Sequence, residues 1–171
     1  GVLYSDYSLG RFFAEAARQP WFENTIFLVT ADHCASSAGR TEIPLQKYHI
    51  PALILAPGLI EPGVVDGIVS QIDLMPTLLS LLNMSYDSHF YGRSIFDPAY
   101  VNRAFIATYQ DLGYLEGDTF TILSPVRRFE QYRVVPTEEN PHHLETMERK
   151  DAMQVDRAIG YYQTSCKWNK R

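Results

Sequence analysis

Asp32, His33 and His49 are the side chains here whose types and positions could do chemistry on one small polar substrate. The run Thr30-Ala31-Asp32-His33-Cys34 closes a β-branched, apolar stretch, Thr25 to Ala31, that reads as a buried strand. A carboxylate oxygen beside an imidazole nitrogen suits a divalent ion such as Zn²⁺ or Mn²⁺. Adjacent residues on a strand point to opposite faces, so both reach one ion only where the strand breaks. The following Ala35-Ser-Ser-Ala-Gly39 supplies a break. The same dipeptide also fits a cap-and-turn, with Asp32 binding backbone N–H groups. His49 stands 16 residues beyond His33, before Ile50-Pro51 at the mouth of a second apolar run. It reads either as a loop histidine or, with His33, as part of one shared polar site.

Other polar groups have simpler readings. Ser36 and Ser37 are turn formers first and phosphate contacts second. Asp73 reads as a helix cap rather than a ligand. His142-His143 beside Pro141 reads as a solvated turn. Cys34 reads as a small packed residue and Cys166 as a free thiol. Two cysteines are too few for a disulfide framework and leave the redox compartment open. Lys167, Lys170 and Arg171 form a solvated basic tail.

The elements that must position these groups follow from periodicity. Leu9, Phe12, Phe13 and Ala16 fall at i, i+3, i+4 and i+7, an amphipathic helix that ends before Pro20. Pro51 to Ala56 is a second buried strand, closed by Pro57-Gly58. Both apolar runs read as central strands of a parallel sheet covered on both faces. A helix from Leu74 to Leu82, capped by Asp73, is apolar nearly all round through Leu78, Leu79, Leu81 and Leu82, which predicts deep packing. From about Ala99, short pieces at Arg103–Tyr109, Phe120–Leu123 and Tyr132–Val135 suit an antiparallel meander. The charged tail, about Leu144 to Trp168, reads as a helix with Met147, Ala152 or Met153, Val155, Ile159 and Tyr162 as its apolar stripe. Residues 1–98 thus read as an α/β layer and 99–171 as a β-meander plus C-terminal helix packed on the same domain. Two parallel strands are too few to build a sheet. That deficit, and a start at Gly1 rather than Met, give the expectation of a C-terminal portion of a larger α/β domain.

Composition narrows the function classes. At 46% hydrophobic and 20% charged residues, the chain is neither disordered nor fibrous. A net charge of −5 argues against a protein that grips nucleic acid through phosphates. No apolar run approaches the roughly 20 residues of a membrane helix.

Several phrases, in order, resemble the alkaline phosphatase superfamily, and within it the sulfatase and lipoteichoic acid synthase-like branch. Pro20-Trp21-Phe22-Glu23-Asn24-Thr25 resembles the phrase that leads into the family's strand and its Asp-His pair. His49-Ile50-Pro51 through Pro57-Gly58 is similar to the next. Ser70, Asp73, Pro76, Thr77, Leu78 and Leu79 match a third, and Gly92-Arg93-Ser94 a glycine turn. The match covers about residues 1 to 96, and Tyr109 to Tyr114 adds a weaker one.

The resemblance implies the C-terminal part of an α/β/α sandwich with a small antiparallel sheet and a C-terminal helix. It implies Asp32 and His33 as ligands of a divalent metal ion (Mn²⁺, Zn²⁺, Mg²⁺ or Ca²⁺), and His49 as a catalytic histidine on the leaving-group side or at a second metal. The family's nucleophile and an acidic ligand lie upstream; nothing here matches them, and no Cys-x-Pro-x-Arg motif is present. The expected reaction is transfer of a phosphoryl or sulfuryl group from an ester to a lipid-linked or glycan hydroxyl, most like a phosphoglycerol or phosphoethanolamine transferase. Hydrolysis of a sulfate or phosphate ester is the alternative, and a non-catalytic scaffold with the same fold is another. The expected setting is the outer face of a bacterial cell membrane, with a tether upstream of Gly1. This chain alone is expected to carry half a site.

Overall fold

The computed structural model describes residues 2–34 and 43–168, so Ser36 and Ser37 lie outside the described residues. It falls into two compact units: residues 2–34 with 49–65, and residues 43–48 with 66–168.

In the first unit, helix α1 spans Val2–Ala16. An Arg11–Glu15 pair at 2.9 Å supports its exposed face. The chain turns before Pro20, and Thr25 Oγ1 donates to the Trp21 carbonyl at 2.8 Å. This turn delivers strand β1, Phe27–Thr30. Aromatic contacts fix the delivery: the Phe27 ring meets Phe13 and Phe22 at 5.4 Å, Phe12 at 6.0 Å and Trp21 at 6.2 Å. Strand β2, Ala52–Leu55, pairs with β1 from Phe27↔Leu55 to Thr30↔Ala52.

That pairing is antiparallel, which corrects the expected parallel sheet. A parallel connection needs a crossover of a dozen or more residues, usually a helix. Among the described residues, the segment between β1 and β2 carries a single 3₁₀ turn, Leu45–Lys47. Nor are both faces covered: no residue of either strand is fully buried, and Leu53 is exposed.

The second unit begins its helical part with a 3₁₀ turn, Gln71–Asp73, that runs into helix α2, Leu74–Leu81. Asp73 works mainly one turn earlier than expected. Its carboxylate accepts from the Ser70 N–H at 3.2 Å and closes a capping box. The predicted deep burial of this helix is not found: Pro76 and Thr77 are its buried residues, and Met75 and Leu82 are exposed.

A five-stranded antiparallel meander follows, in spatial order β3-β4-β5-β6-β7: Arg103–Ala107, Leu112–Glu116, Thr119–Ser124, Arg128–Val134 and Leu144–Thr146. Phe120 and Ile106 join Ile43 and Leu45 in its core. Strand β4 was not among the expected pieces of the meander. Gly113 sits inside β4 because a Cβ there would meet the Phe120 ring at 2.8 Å.

The tail is corrected too. Residues 144–146 extend the sheet, with Leu144 opposite Val134, and helix α3 spans Ala152–Trp168. Asp151 sets its start by accepting from the Gln154 N–H at 3.1 Å. The buried stripe is Val155, Ala158 and the polar Gln154; Met153 faces solvent.

Candidate functional site

Antiparallel pairing decides which groups share one end of the first unit. The end of β1 lies beside the start of β2, with Thr30 opposite Ala52. Residues 31–34, which leave β1, therefore stand next to residues 49–51, which enter β2. Two hydrogen bonds tie these segments: Thr30 Oγ1 donates to the Pro51 carbonyl at 3.0 Å, and Cys34 Sγ to the His49 carbonyl at 3.5 Å.

The strand does break where the ligand reading requires it, since β1 ends at Thr30 and Asp32-His33 form a bend. Asp32 Oδ1 accepts from the His33 N–H at 2.9 Å, the turn-type bond that the simpler reading requires. His33 Nδ1 lies 3.0 Å from the Cys34 carbonyl. A carbonyl only accepts, so Nδ1 is the donor in this contact. That Nε2 lies 3.6 Å from Asp32 Oδ2.

The turn reading of the dipeptide is observed directly. Oδ1 and Nδ1 hold the backbone turn, while Oδ2 and Nε2 lie 3.6 Å apart outside it. Two such donors on one tetrahedral ion stand about 3.4 Å apart, given metal–ligand bonds of about 2.1 Å. The donor set fits a divalent ion. Among the described residues, no group of three or more His, Cys, Asp or Glu side chains is close enough to hold a metal ion.

Cys34 proves more useful than a packed thiol, through its carbonyl and its sulfur. Nothing in its residue type signals that, because the orienting group is backbone. His142-His143 lies in the turn it was assigned to, with the His142 N–H on Asn140 Oδ1.

A second polar centre lies in the other unit. Asp73 is fully buried, and its carboxylate takes the Arg103 guanidinium in a two-pronged bond at 2.9 and 3.1 Å. The Arg93 N–H and the Tyr100 hydroxyl also donate to it, at 2.8 and 3.0 Å. Arg103 in turn packs against the Tyr100, Phe105 and Tyr161 rings at 5.2 to 5.7 Å. Burial, with the neighbouring Asp73 carboxylate, pushes the Tyr100 phenol well above its ordinary range. The sequence reading missed Arg103, whose partner lies 30 residues away with no local pattern to announce it. A fully paired buried carboxylate has no capacity left for a metal, so this centre is structural.

Comparison with known proteins gives the family. The family model of the sulfatases matches residues 1–84, which hold α1, both strands, Asp32-His33, His49 and α2. A crystal structure of a protein in the alkaline phosphatase superfamily from Vibrio parahaemolyticus is similar over 98% of this chain, with 32% identity and a TM-score of 0.86. The chain belongs to the alkaline phosphatase superfamily. It spans 40% of the length of that solved relative.

Proposed function

We propose that this chain supplies the Asp-His half of a divalent-metal centre that acts on phosphate or sulfate esters. The superfamily consists of phosphoryl- and sulfuryl-ester enzymes, and the observation that carries the reading is the 3.6 Å convergence of Asp32 Oδ2 and His33 Nε2. Asp32 supplies an anionic oxygen, and the Cys34 carbonyl fixes the tautomer and ring direction of His33. A bound ion there would neutralise charge on the transferring group and lower the pKa of an attacking hydroxyl. His49, held beside the loop through its backbone, is the candidate to meet the leaving oxygen as a proton donor or as a ligand at a second metal. The nucleophile and the remaining ligands come from residues outside this chain.

The finer reading is transfer of a phosphoglycerol- or phosphoethanolamine-type group to a lipid-linked or glycan hydroxyl, in a domain held outside a bacterial membrane by an upstream tether. Hydrolysis of the same esters is the second reading, and the fate of the covalent intermediate separates the two. An acceptor alcohol that raises product formation and appears in the product supports transfer; release of the free acid at an unchanged rate supports hydrolysis.

The central test is substitution in the intact protein. Asp32→Ala and His33→Ala should each lower Mn²⁺ or Zn²⁺ affinity and turnover by at least about 100-fold, with the melting temperature held because both side chains are exposed. Near-normal turnover in both variants, or loss only through unfolding, sinks the assignment. For His49→Ala the loss should be smaller and steepest with poor leaving groups.

A further inference from the structure

The loop that follows α2 builds an open groove whose chemistry is separate from the Asp32-His33 site. Its floor is pinned by buried groups. The Arg93 N–H donates to Asp73, and the Ile95 N–H to Thr77 Oγ1 at 3.1 Å. Gly92 is pressed so closely on the Ile72 carbonyl that a Cβ would lie 2.0 Å from it. This backbone is fixed before any ligand arrives, which cuts the ordering cost of binding.

On that fixed floor the groove, about 620 Å³ in volume, presents Tyr86, Phe90 and Phe96, with exposures of 40%, 46% and 58%. The volume lies within the roughly 300–1,000 Å³ of small-ligand sites. Tyr86 and Phe90 meet edge to face at 6.1 Å, so neither ring lies flat on the other. All three stand along one short loop and face solvent.

The polar groups between the rings are balanced in sign. Arg93 brings guanidinium donors and has no ion-pair partner among the described residues. Asp97 brings a carboxylate whose Oδ1 also accepts the Ala99 N–H at 2.9 Å. The Ser88 and Ser94 hydroxyls accept the Phe90 and Phe96 N–H groups, at 2.8 and 3.2 Å, which leaves their own protons to donate. One cation, one anion and hydroxyl groups among aromatic rings do not complement a phosphate, which needs an excess of donors. They do complement a polyhydroxylated ring, whose C–H face stacks on an aromatic while its hydroxyls both donate and accept.

We infer that this groove is a saccharide-binding site that takes an uncharged pyranose. The inference does not depend on the metal reading, so each fails or stands separately.

The test is titration of the intact protein, ¹³C-labelled on Phe and Tyr, with maltose, cellobiose and N,N′-diacetylchitobiose; glycerol and inorganic phosphate are the controls. Saturable shifts of the groove rings with at least one disaccharide, at a Kd on the order of 1 mM, are expected. Phe90→Ala and Arg93→Gln should each weaken that binding roughly tenfold. Arg93→Gln keeps the backbone bond to Asp73 and so keeps the floor. Tyr109→Ala, at a 97% exposed position outside the groove, should leave binding intact. The inference is overturned if no disaccharide saturates well above the millimolar range, if phosphate competes for the same rings, or if the folded Phe90 and Arg93 variants bind as well as the parent.

Discussion

At the scale of single residues, the two polar centres obey opposite rules. Asp32 and His33 are exposed, so little of the fold depends on them and their removal should read out in metal binding and turnover. Asp73 and Arg103 are buried at 0% and 3% side-chain exposure, so the reverse holds. Breaking a buried pair from one side leaves an uncompensated charge and costs about 3–5 kcal/mol. Arg103→Ala should therefore lower the unfolding free energy by that order, read from the urea midpoint and slope. A denaturation curve that overlays the parent's would show that the pair contributes nothing. Gly92→Ala is the steric counterpart. With backbone at 2.0 Å from the new Cβ, the turn must shift, and a loss of about 1–3 kcal/mol is expected by the same measurement.

At the scale of elements, α3 is clamped to the meander by one phenol. The Tyr162 hydroxyl lies 3.0 Å from the Ile106 carbonyl and 2.7 Å from the Gly113 carbonyl, and its one proton, shared between them, joins the helix to β3 and β4. Burial pushes this phenol up to about 12, against about 10 in an unfolded chain. The folded state therefore holds its proton more tightly than the unfolded state. Its contribution is complete below about pH 10 and is lost as pH rises through about 12. Tyr100 and Tyr114 are shifted upward too, chiefly by burial, and act in the same direction. The melting temperature should be level from neutrality to about pH 10 and then fall steeply. Tyr162→Phe should flatten part of that fall while costing roughly 0.5–1.5 kcal/mol at neutral pH for the one shared hydrogen bond lost. An unchanged alkaline limb in the variant would show that the clamp does not titrate as described.

At the scale of the whole molecule, the first unit leaves much apolar surface in water. Val2, Leu3, Tyr4 and Tyr7 of α1 are 62–86% exposed, and Leu53 of β2 is 54% exposed. Among the described residues, this two-stranded sheet also has two unpaired edges, each a template for another strand. The 171-residue chain by itself should bind a hydrophobic dye and self-associate. Light scattering coupled to size exclusion checks this. A monodisperse, cooperatively melting monomer without dye binding would show that these faces are tolerated in water.

By itself the sequence determined what depends on local pattern. The 3.6-residue spacing of Leu9, Phe12, Phe13 and Ala16 marked α1; short β-branched runs marked the meander; Asp32-His33 after an apolar strand marked the candidate ligands. It also carried the family, because the Trp21-Phe22 and Gly92 phrases are local devices, one stacking on Phe27 and the other fitting under the Ile72 carbonyl.

What it could not determine was pairing at a distance. Both strands were read as parallel from their unbroken apolar character, yet side-chain character does not encode strand direction. The connection does, and its lack of a helical pattern already favoured a reversal. The direction matters for the site. In a parallel pair, His49 would enter β2 at the far end from Asp32, about 13 Å away along four residues of strand; the antiparallel pair puts both at one end. The Asp73–Arg103 bond and the Cys34 carbonyl behind His33 were equally invisible, since each depends on where backbone and side chains meet after folding. Only the tertiary structure brings those groups within hydrogen-bonding distance.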